Sequence, residues 1–171
     1  MDMKRIAHFL PVLLLAFSAS CSLAQKDDLY ATVDGLIDES IPVWKTELLK
    51  RRIGSPSLFL LDAREKQEYA ISHLKDAIWV GYDDFNLDRI PASISKTDTL
   101  VIYCSVGYRS EKVGEKLINA GYANVINVYG GIFDWVNKGY PVYNQQGKTE
   151  AIHGYDKNWS RYLEKGQIKL E

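Results

Sequence analysis

Cysteine and histidine are scarce in this chain, which has two cysteines and three histidines among 171 residues. His8 and Cys21 also lie in an N-terminal segment that is interpreted below as an export signal. A structural zinc site needs about four such ligands, so the sequence predicts no metal site. Removal or lipidation of that segment leaves Cys104 as a lone thiol, which excludes an intramolecular disulfide.

An excess of one charge and a long apolar run are also missing. Lys and Arg number 21 against 22 Asp and Glu, for a net charge of -1, so the sequence predicts no nucleic-acid partner. The mainly apolar stretch at residues 6–17 is too short for an ordinary transmembrane helix. With 46% hydrophobic and 25% charged residues, the chain is typical of one compact domain with an appended segment.

The N-terminus has the pattern of an export signal. Lys4 and Arg5 precede the apolar stretch, and small residues follow it. Small residues before Cys21 are typical of a bacterial lipoprotein signal, in which Cys21 is lipidated, whereas Ser22–Ala24 before Gln25 is typical of ordinary cleavage. Ordinary cleavage is slightly favoured. We expect an exported, periplasmic protein that is soluble, or that is held at the membrane only by a lipid on Cys21.

Four parts of the chain are predicted. Residues 1–24 are the signal, 25–40 a linker leading into a short helix, 41–142 the folded domain and 143–171 a C-terminal extension. Tyr155, Trp159 and Tyr162 in the extension have roughly helical spacing. We interpret the extension as a terminal helix packed on the core, in preference to a segment that gates the substrate.

Short apolar runs alternate with helical patterns across the folded domain. Strands are predicted at 57–62, 77–80, 99–103 and 124–129, and helices at 46–52, 65–71, 110–120 and 132–137. This alternation predicts an α/β fold of three layers, with a central parallel sheet and helices on both faces. Ligands on such sheets bind at the carboxyl ends of the strands, where Cys104 is placed.

The segment from Val101 to Ser110 carries the strongest functional signal. Cys104 ends an apolar run and precedes a helix, whose N-terminal amides and dipole favour a thiolate. Gly107 allows the backbone to turn successive amides inward, and Arg109 adds a positive charge. A lone cysteine is often only a small buried hydrophobe. The glycine and the arginine favour a nucleophile instead.

Three segments resemble the rhodanese domain, a sulfurtransferase fold. They are Leu61–Arg64 with Glu68–Ala70, His73 and Ala77; Cys104–Ser110; and Tyr129–Gly131 with Trp135 and Gly139–Val142. The resemblance covers residues 41–142 and departs from the family at Ser72 and Asp76, where glycines are usual. It implies a rhodanese-like fold.

The resemblance also implies a function. A sulfur donor such as thiosulfate would form a persulfide on Cys104, and a thiol or cyanide would accept that sulfur. A protein could also be the acceptor, and no cofactor is needed. The loop residues implied to bind the sulfur are Ser105, Val106, Gly107, Tyr108, Arg109 and Ser110.

The supporting residues are interpreted as structural. Asp62, Arg64 and His73 occupy family positions, and none is assigned a catalytic step. Arg109 has two interpretations: it neutralises the charge of the donor or persulfide, or it braces the loop by pairing with a carboxylate such as Asp62.

Two alternatives to the sulfurtransferase remain. One is a sulfur-carrier or partner-binding module with little turnover. The other, which is disfavoured, is a cysteine-dependent phosphatase or arsenate reductase. Four residues separate Cys104 from Arg109, one fewer than in such phosphatases, and the smaller loop fits a single sulfur atom better than a phosphate.

Overall fold

The computed structural model describes residues 29–170. Its central sheet has five parallel strands, β1 (Val43–Lys45), β2 (Leu58–Asp62), β3 (Ile78–Trp79), β4 (Thr99–Tyr103) and β5 (Asn124–Tyr129). Their order across the sheet is β1-β5-β4-β2-β3. The strand β4 lies in the middle of the sheet, so the residue that follows it is at the centre of the carboxyl edge.

Helices cover the sheet, and short 3-10 turns complete the layers. The helices are α1 (29–34), α2 (Thr46–Arg52), α3 (Lys66–Ile71), α4 (Tyr108–Asn119) and α5 (Gly131–Asn137). The 3-10 turns are Leu87–Arg89 and Ser160–Tyr162. The predicted α/β fold with a central parallel sheet is confirmed.

The two faces of the sheet bury separate hydrophobic clusters. Along β4, Val101 and Tyr103 join a cluster with α1, α2 and α5, whereas Leu100 and Ile102 join a cluster with α4. Successive side chains of a strand point to opposite faces. A strand covered on both faces is therefore apolar throughout, which is why β4 could be found from sequence.

Residues 25–40 were predicted as a linker leading into a short helix, and the described part contains such a helix but packs on the core. The helix α1 lies there, and Leu29, Val33 and Ile37 are buried in the main core cluster. Their spacing of four residues forms an apolar stripe along one side of the segment, which the polar residues between them obscured. The three-residue strand β1, at the edge of the sheet, was also not predicted.

The predicted terminal helix over residues 143–171 is wrong. Its place is taken by the hairpin β6 (Val142–Asn144) and β7 (Gly147–Thr149), and by β8 (Ala151–His153) paired with β9 (Gln167–Lys169). Gly147 and Gly166 have φ angles of 116° and 92°, in the left-handed region that an α-helix excludes. Packing of the extension on the core does occur, through Trp159 and Tyr162.

The export signal and the lipidation of Cys21 fall outside the described residues. Within residues 29–170, no helix is long and apolar enough to cross a bilayer.

Replacement of Leu29 by alanine tests whether α1 is part of the folded domain. Leu29 is 2% exposed, whereas Leu87 in a surface 3-10 turn is 40% exposed and provides a matched control. We expect Leu29→Ala to lower the free energy of unfolding by about 2–4 kcal/mol, because it leaves a cavity in the core. Leu87→Ala should change it by about 0.5 kcal/mol or less. Equal effects in urea unfolding would show that α1 does not contribute to the core.

Candidate active site

Cys104 directly follows β4 at the carboxyl edge of the sheet, and its side chain is only 1% exposed. The helix α4 begins at Tyr108, two residues before the predicted start. Between them the backbone folds back, and the Gly107 amide N–H donates to the Cys104 sulfur at 3.1 Å. A backbone donor aimed at the sulfur is what a negatively charged sulfur requires.

Each of three carbonyl oxygens of the loop accepts a hydrogen bond, from α5, from β5 or from the loop's own Ser110. The Cys104 and Ser105 carbonyls accept from the first amides of α5, those of Ile132 at 2.9 Å and Phe133 at 3.1 Å. The Gly107 carbonyl accepts from the Ser110 hydroxyl and the Asn127 side-chain amide, each at 3.0 Å. Ser110 is therefore a buried anchor of the loop.

Two glycines make this arrangement possible. At Gly131 a Cβ atom would lie 2.4 Å from the Cys104 carbonyl oxygen, far inside contact distance. At Gly107 the φ angle is 127°, a conformation that side chains rarely permit. Both positions therefore need glycine for the loop to reach α5 and to direct the Gly107 amide at the sulfur.

Arg109 is paired with Glu68 and not with Asp62, which corrects the brace partner that was predicted. Its two terminal nitrogens donate to the two Glu68 carboxylate oxygens at 2.6 and 2.9 Å. The Ser105 hydroxyl accepts from Arg109 at 2.9 Å and donates to Glu68 at 3.2 Å. This closed network braces the loop and engages both terminal nitrogens of the guanidinium.

Both members of the pair are held in their charged forms. Burial opposes ionisation of Glu68, but the hydrogen bonds and charge of Arg109 outweigh it and lower the pKa of Glu68 below its usual value of 4.5. Burial likewise opposes the charge of Arg109, and the bonds to Glu68 reverse this and raise its pKa. The carboxylate therefore compensates the arginine charge.

Asp62 and Arg64 form a second buried pair beside the site. The Arg64 Nε and Nη2 atoms donate to Asp62 at 3.0 and 2.7 Å, and Nη2 also donates to the Ser72 carbonyl at 2.6 Å. The pair ties the end of β2 to the end of α3 and does not reach Cys104 through a hydrogen bond in the described residues.

His73 lies away from the cleft. Its ring stacks on Tyr69 with centroids 4.0 Å apart, and its Nδ1 is bonded to the Tyr69 carbonyl at 3.0 Å. Its backbone pairs with Tyr143. Nearby, Asp76 has a φ of 59°, so it adopts the left-handed conformation where the family usually has glycine.

A cleft of about 230 Å³ opens over Cys104. The sequence-predicted loop contributes part of its lining, namely Cys104, Ser105, Val106, Tyr108 and Arg109. The residues that the sequence did not assign to the site are Leu36, Glu65, Tyr82, Asp83, Tyr155 and Trp159. The extension thus lines the cleft through Tyr155 and Trp159. The aromatic residues were the sequence signal for such a position, but they were interpreted as part of a helix packed on the core.

Tyr155 is held over the cleft by a backbone conformation that large side chains rarely adopt, with a φ of 67°. Its amide donates to His153 Nδ1 at 3.0 Å, and the Arg109 guanidinium lies 4.9 Å from its ring centroid. Burial is the main cause that lowers the pKa of His153, which keeps the imidazole neutral and able to accept this bond.

Residues 45–138, more than half of the chain, match the family model of the rhodanese-like domain. The chain belongs to the rhodanese-like domain family. The matched residues include β2, α3, the Cys104 loop, α4 and α5. They exclude α1 and the whole C-terminal extension, so Leu36, Tyr155 and Trp159 add walls to the cleft of a rhodanese-like domain.

Known proteins similar to this rhodanese-like domain include larger ones. A tRNA uridine(34) hydroxylase of Hamiltonella defensa is 33% identical over 114 residues, which is 60% of this chain and 32% of that protein. This chain therefore spans about a third of the length of such relatives. The solution structure of a rhodanese-like domain from Anabaena sp. is 25% identical, with a TM-score of 0.55 and coverage of 61% of this chain and 80% of that chain. An uncharacterized protein from Saccharomyces cerevisiae is 30% identical, with a TM-score of 0.52 and coverage of 58% and 94%.

Glu68, the carboxylate partner of Arg109, lies in a sequence pattern that predicts the start of a helix. Glu65 and Glu68 are three residues apart at the start of α3 and form a capping box, in which the Glu65 amide donates to Glu68 at 2.9 Å. Glu68 thus caps α3 and braces the Cys104 loop. Among residues 29–170, no group of three or more His, Cys, Asp or Glu side chains is arranged to hold a metal ion.

Replacement of Glu68 by glutamine tests the brace. We expect a loss of about 3 kcal/mol of unfolding free energy at pH 7, because a buried arginine loses its ionised partner. The lowered pKa of Glu68 makes its contribution complete above pH 4.5 and lost as the pH falls below 4.5 through the lowered value. The stability difference from wild type should therefore shrink in acid.

The measurement is urea unfolding from pH 7 down to the acid transition. Glu164→Gln is the matched control, because it makes the same chemical change at an exposed position. A difference between wild type and Glu68→Gln that is the same at every pH would contradict the assigned ion pair.

Proposed function

We propose that this protein is a sulfurtransferase that carries sulfur as a persulfide on Cys104. The arrangement of the Cys104 loop is the observation that carries the proposal. The buried Cys104 sulfur accepts a hydrogen bond from the Gly107 amide at 3.1 Å. The carbonyls of Cys104 and Ser105 are bonded to amides of α5. The loop can thus stabilise one added anionic sulfur atom without a cofactor.

The state of Arg109 supports sulfur transfer over phosphate hydrolysis. A phosphatase arginine must offer its paired donors to the phosphate oxygens. Here both terminal nitrogens are engaged by Glu68, whose side chain is almost fully buried. The loop also has only four residues between Cys104 and Arg109, one fewer than the loop of cysteine-dependent phosphatases.

The proposed reaction has two steps, each a displacement at sulfur. The Cys104 thiolate attacks the outer sulfur of thiosulfate, the bond between the two thiosulfate sulfurs breaks, and sulfite leaves with the electron pair. Cys104 then bears a persulfide anion. Cyanide or a thiol attacks the outer sulfur of that persulfide, the S–S bond breaks, and the Cys104 thiolate is restored.

The relatives named tRNA uridine(34) hydroxylase raise a nucleic-acid alternative. The charge pattern does not favour it here, because the net charge is -1 and two carboxylates, Glu65 and Asp83, line the cleft. We propose small molecules as donor and acceptor, with a protein thiol as a further acceptor. The protein is also proposed to be exported to the periplasm, on the basis of the signal pattern in residues 1–24.

Intact mass of the purified protein tests the proposal. In a Cys21→Ser background, where Cys104 is the one cysteine of the chain, thiosulfate should add the mass of one sulfur atom and cyanide should remove it. Cys104→Ser in the same background should show no gain, with an unchanged circular dichroism spectrum. No gain on a Cys104 that still reacts with iodoacetamide would contradict the proposal. Gain without release to cyanide or to a thiol would favour the carrier alternative.

A further inference from the structure

The cleft over Cys104 is walled mainly by flat and apolar side chains. Tyr82, Tyr108, Tyr155, Trp159 and Leu36 line it, and they come from four separate parts of the chain. Aromatic faces bind other flat apolar groups through stacking and edge contacts. Because the tertiary fold brings these residues together, the aromatic character belongs to the assembled site and not to one local sequence pattern.

The size of the cleft exceeds what a small inorganic acceptor needs. Its volume of about 230 Å³ lies just below the ~300–1,000 Å³ that is usual for sites of small organic molecules. Cyanide has two heavy atoms and would leave most of this space to water. A molecule with a single aromatic ring joined to a thiol by a short linker has a size that suits this volume.

Two contacts position Tyr155 at the cleft. Its amide donates to the buried His153 ring, and its own ring lies over Arg109. The side chain is nevertheless 46% exposed, so its outer face is open to a ligand. Strained backbone that is maintained by surrounding contacts is concentrated at ligand sites.

We propose that the sulfur acceptor is an organic thiol that carries a flat apolar group, and that Tyr155 and Trp159 bind that group. This inference rests on the proposed sulfurtransferase function and adds the substrate class. The acceptor ring lies between the two aromatic side chains, and its thiol points toward the persulfide on Cys104. The acceptor thiol gives its proton to the outer sulfur of the Cys104 persulfide anion, and the resulting thiolate attacks that sulfur. The S–S bond breaks with its electron pair returning to Cys104. The products are a protonated organic persulfide and the Cys104 thiolate, so atoms and charge balance.

Single-turnover transfer from preformed persulfide tests the proposal. Protein loaded with thiosulfate and freed of excess donor is mixed with benzyl mercaptan or with ethanethiol, two uncharged alkyl thiols that differ by one ring. The measured quantity is the ratio of their second-order rate constants, followed by intact mass. Intrinsic thiol reactivity is the same for every variant, so a change in this ratio isolates binding of the ring.

Tyr155→Ala should lower the ratio about five- to tenfold, the size of one aromatic contact. Tyr155→Phe keeps the ring and should retain the wild-type ratio. Ile168→Ala provides a matched control, because Ile168 lies in the same extension, is 43% exposed and does not line the cleft. It should leave the ratio unchanged. A Tyr155→Ala variant that slows both thiols equally would overturn the inference, since the tyrosine would then act only through Arg109.

The two proposals fail in different ways. Absence of persulfide on Cys104 removes the proposed function and the inference with it. Persulfide that forms normally but transfers to benzyl mercaptan no faster than to ethanethiol, in wild type and in Tyr155→Ala alike, overturns the inference alone.

Discussion

The active loop depends on where its carbonyl oxygens go. A buried carbonyl oxygen needs a hydrogen-bond donor, and the carbonyls of Cys104 and Ser105 accept from amides in the first turn of α5. This requires α5 to approach so closely that Gly131 has no room for a side chain. Once the carbonyls are held on that side, the Gly107 amide can be directed at the sulfur. The helix that contributes these amides is distant in sequence, so the sulfur site exists only in the folded domain.

The pair formed by Glu68 and Arg109 fixes the same loop from another direction. It joins the first turn of α3 to the first turn of α4, with the Ser105 hydroxyl bonded to both side chains. Its consequence is electrostatic as well as structural, because an arginine compensated by a buried carboxylate is a weaker binder of oxyanions. The loop sequence alone allows two roles for Arg109, a free cation that binds an anion or a brace that pairs with a carboxylate. The folded site directs the Gly107 amide at the Cys104 sulfur, beside an arginine whose charge is compensated by Glu68.

The sequence was most informative where local pattern and tertiary environment agree. The strand β4 is apolar throughout because both faces are covered, and the glycine and arginine after Cys104 are required by the loop itself. The sequence was least informative where the partner of a side chain is distant along the chain. Asp62 and Glu68 are both acidic residues of the same motif, and only the orientation of α3 decides that Glu68 meets Arg109 while Asp62 meets Arg64. In the extension, aromatic spacing suggested a helix, but left-handed glycines and strand pairing override it.

The helix α1 and the C-terminal extension, which both lie outside the family match, are bonded to each other. The Thr32 hydroxyl in α1 is bonded to the Tyr162 hydroxyl in the extension at 3.0 Å, and Tyr30 donates to Asp134 of α5 at 2.7 Å. Leu36 follows α1, and Trp159 immediately precedes the 3-10 turn Ser160–Tyr162, so the bond between Thr32 and Tyr162 joins two segments that line the cleft. The family core holds Cys104, whereas α1 and the extension contribute part of the lining of the cleft above it. The shape of the cleft can therefore differ through these two segments while the geometry around Cys104 remains the same.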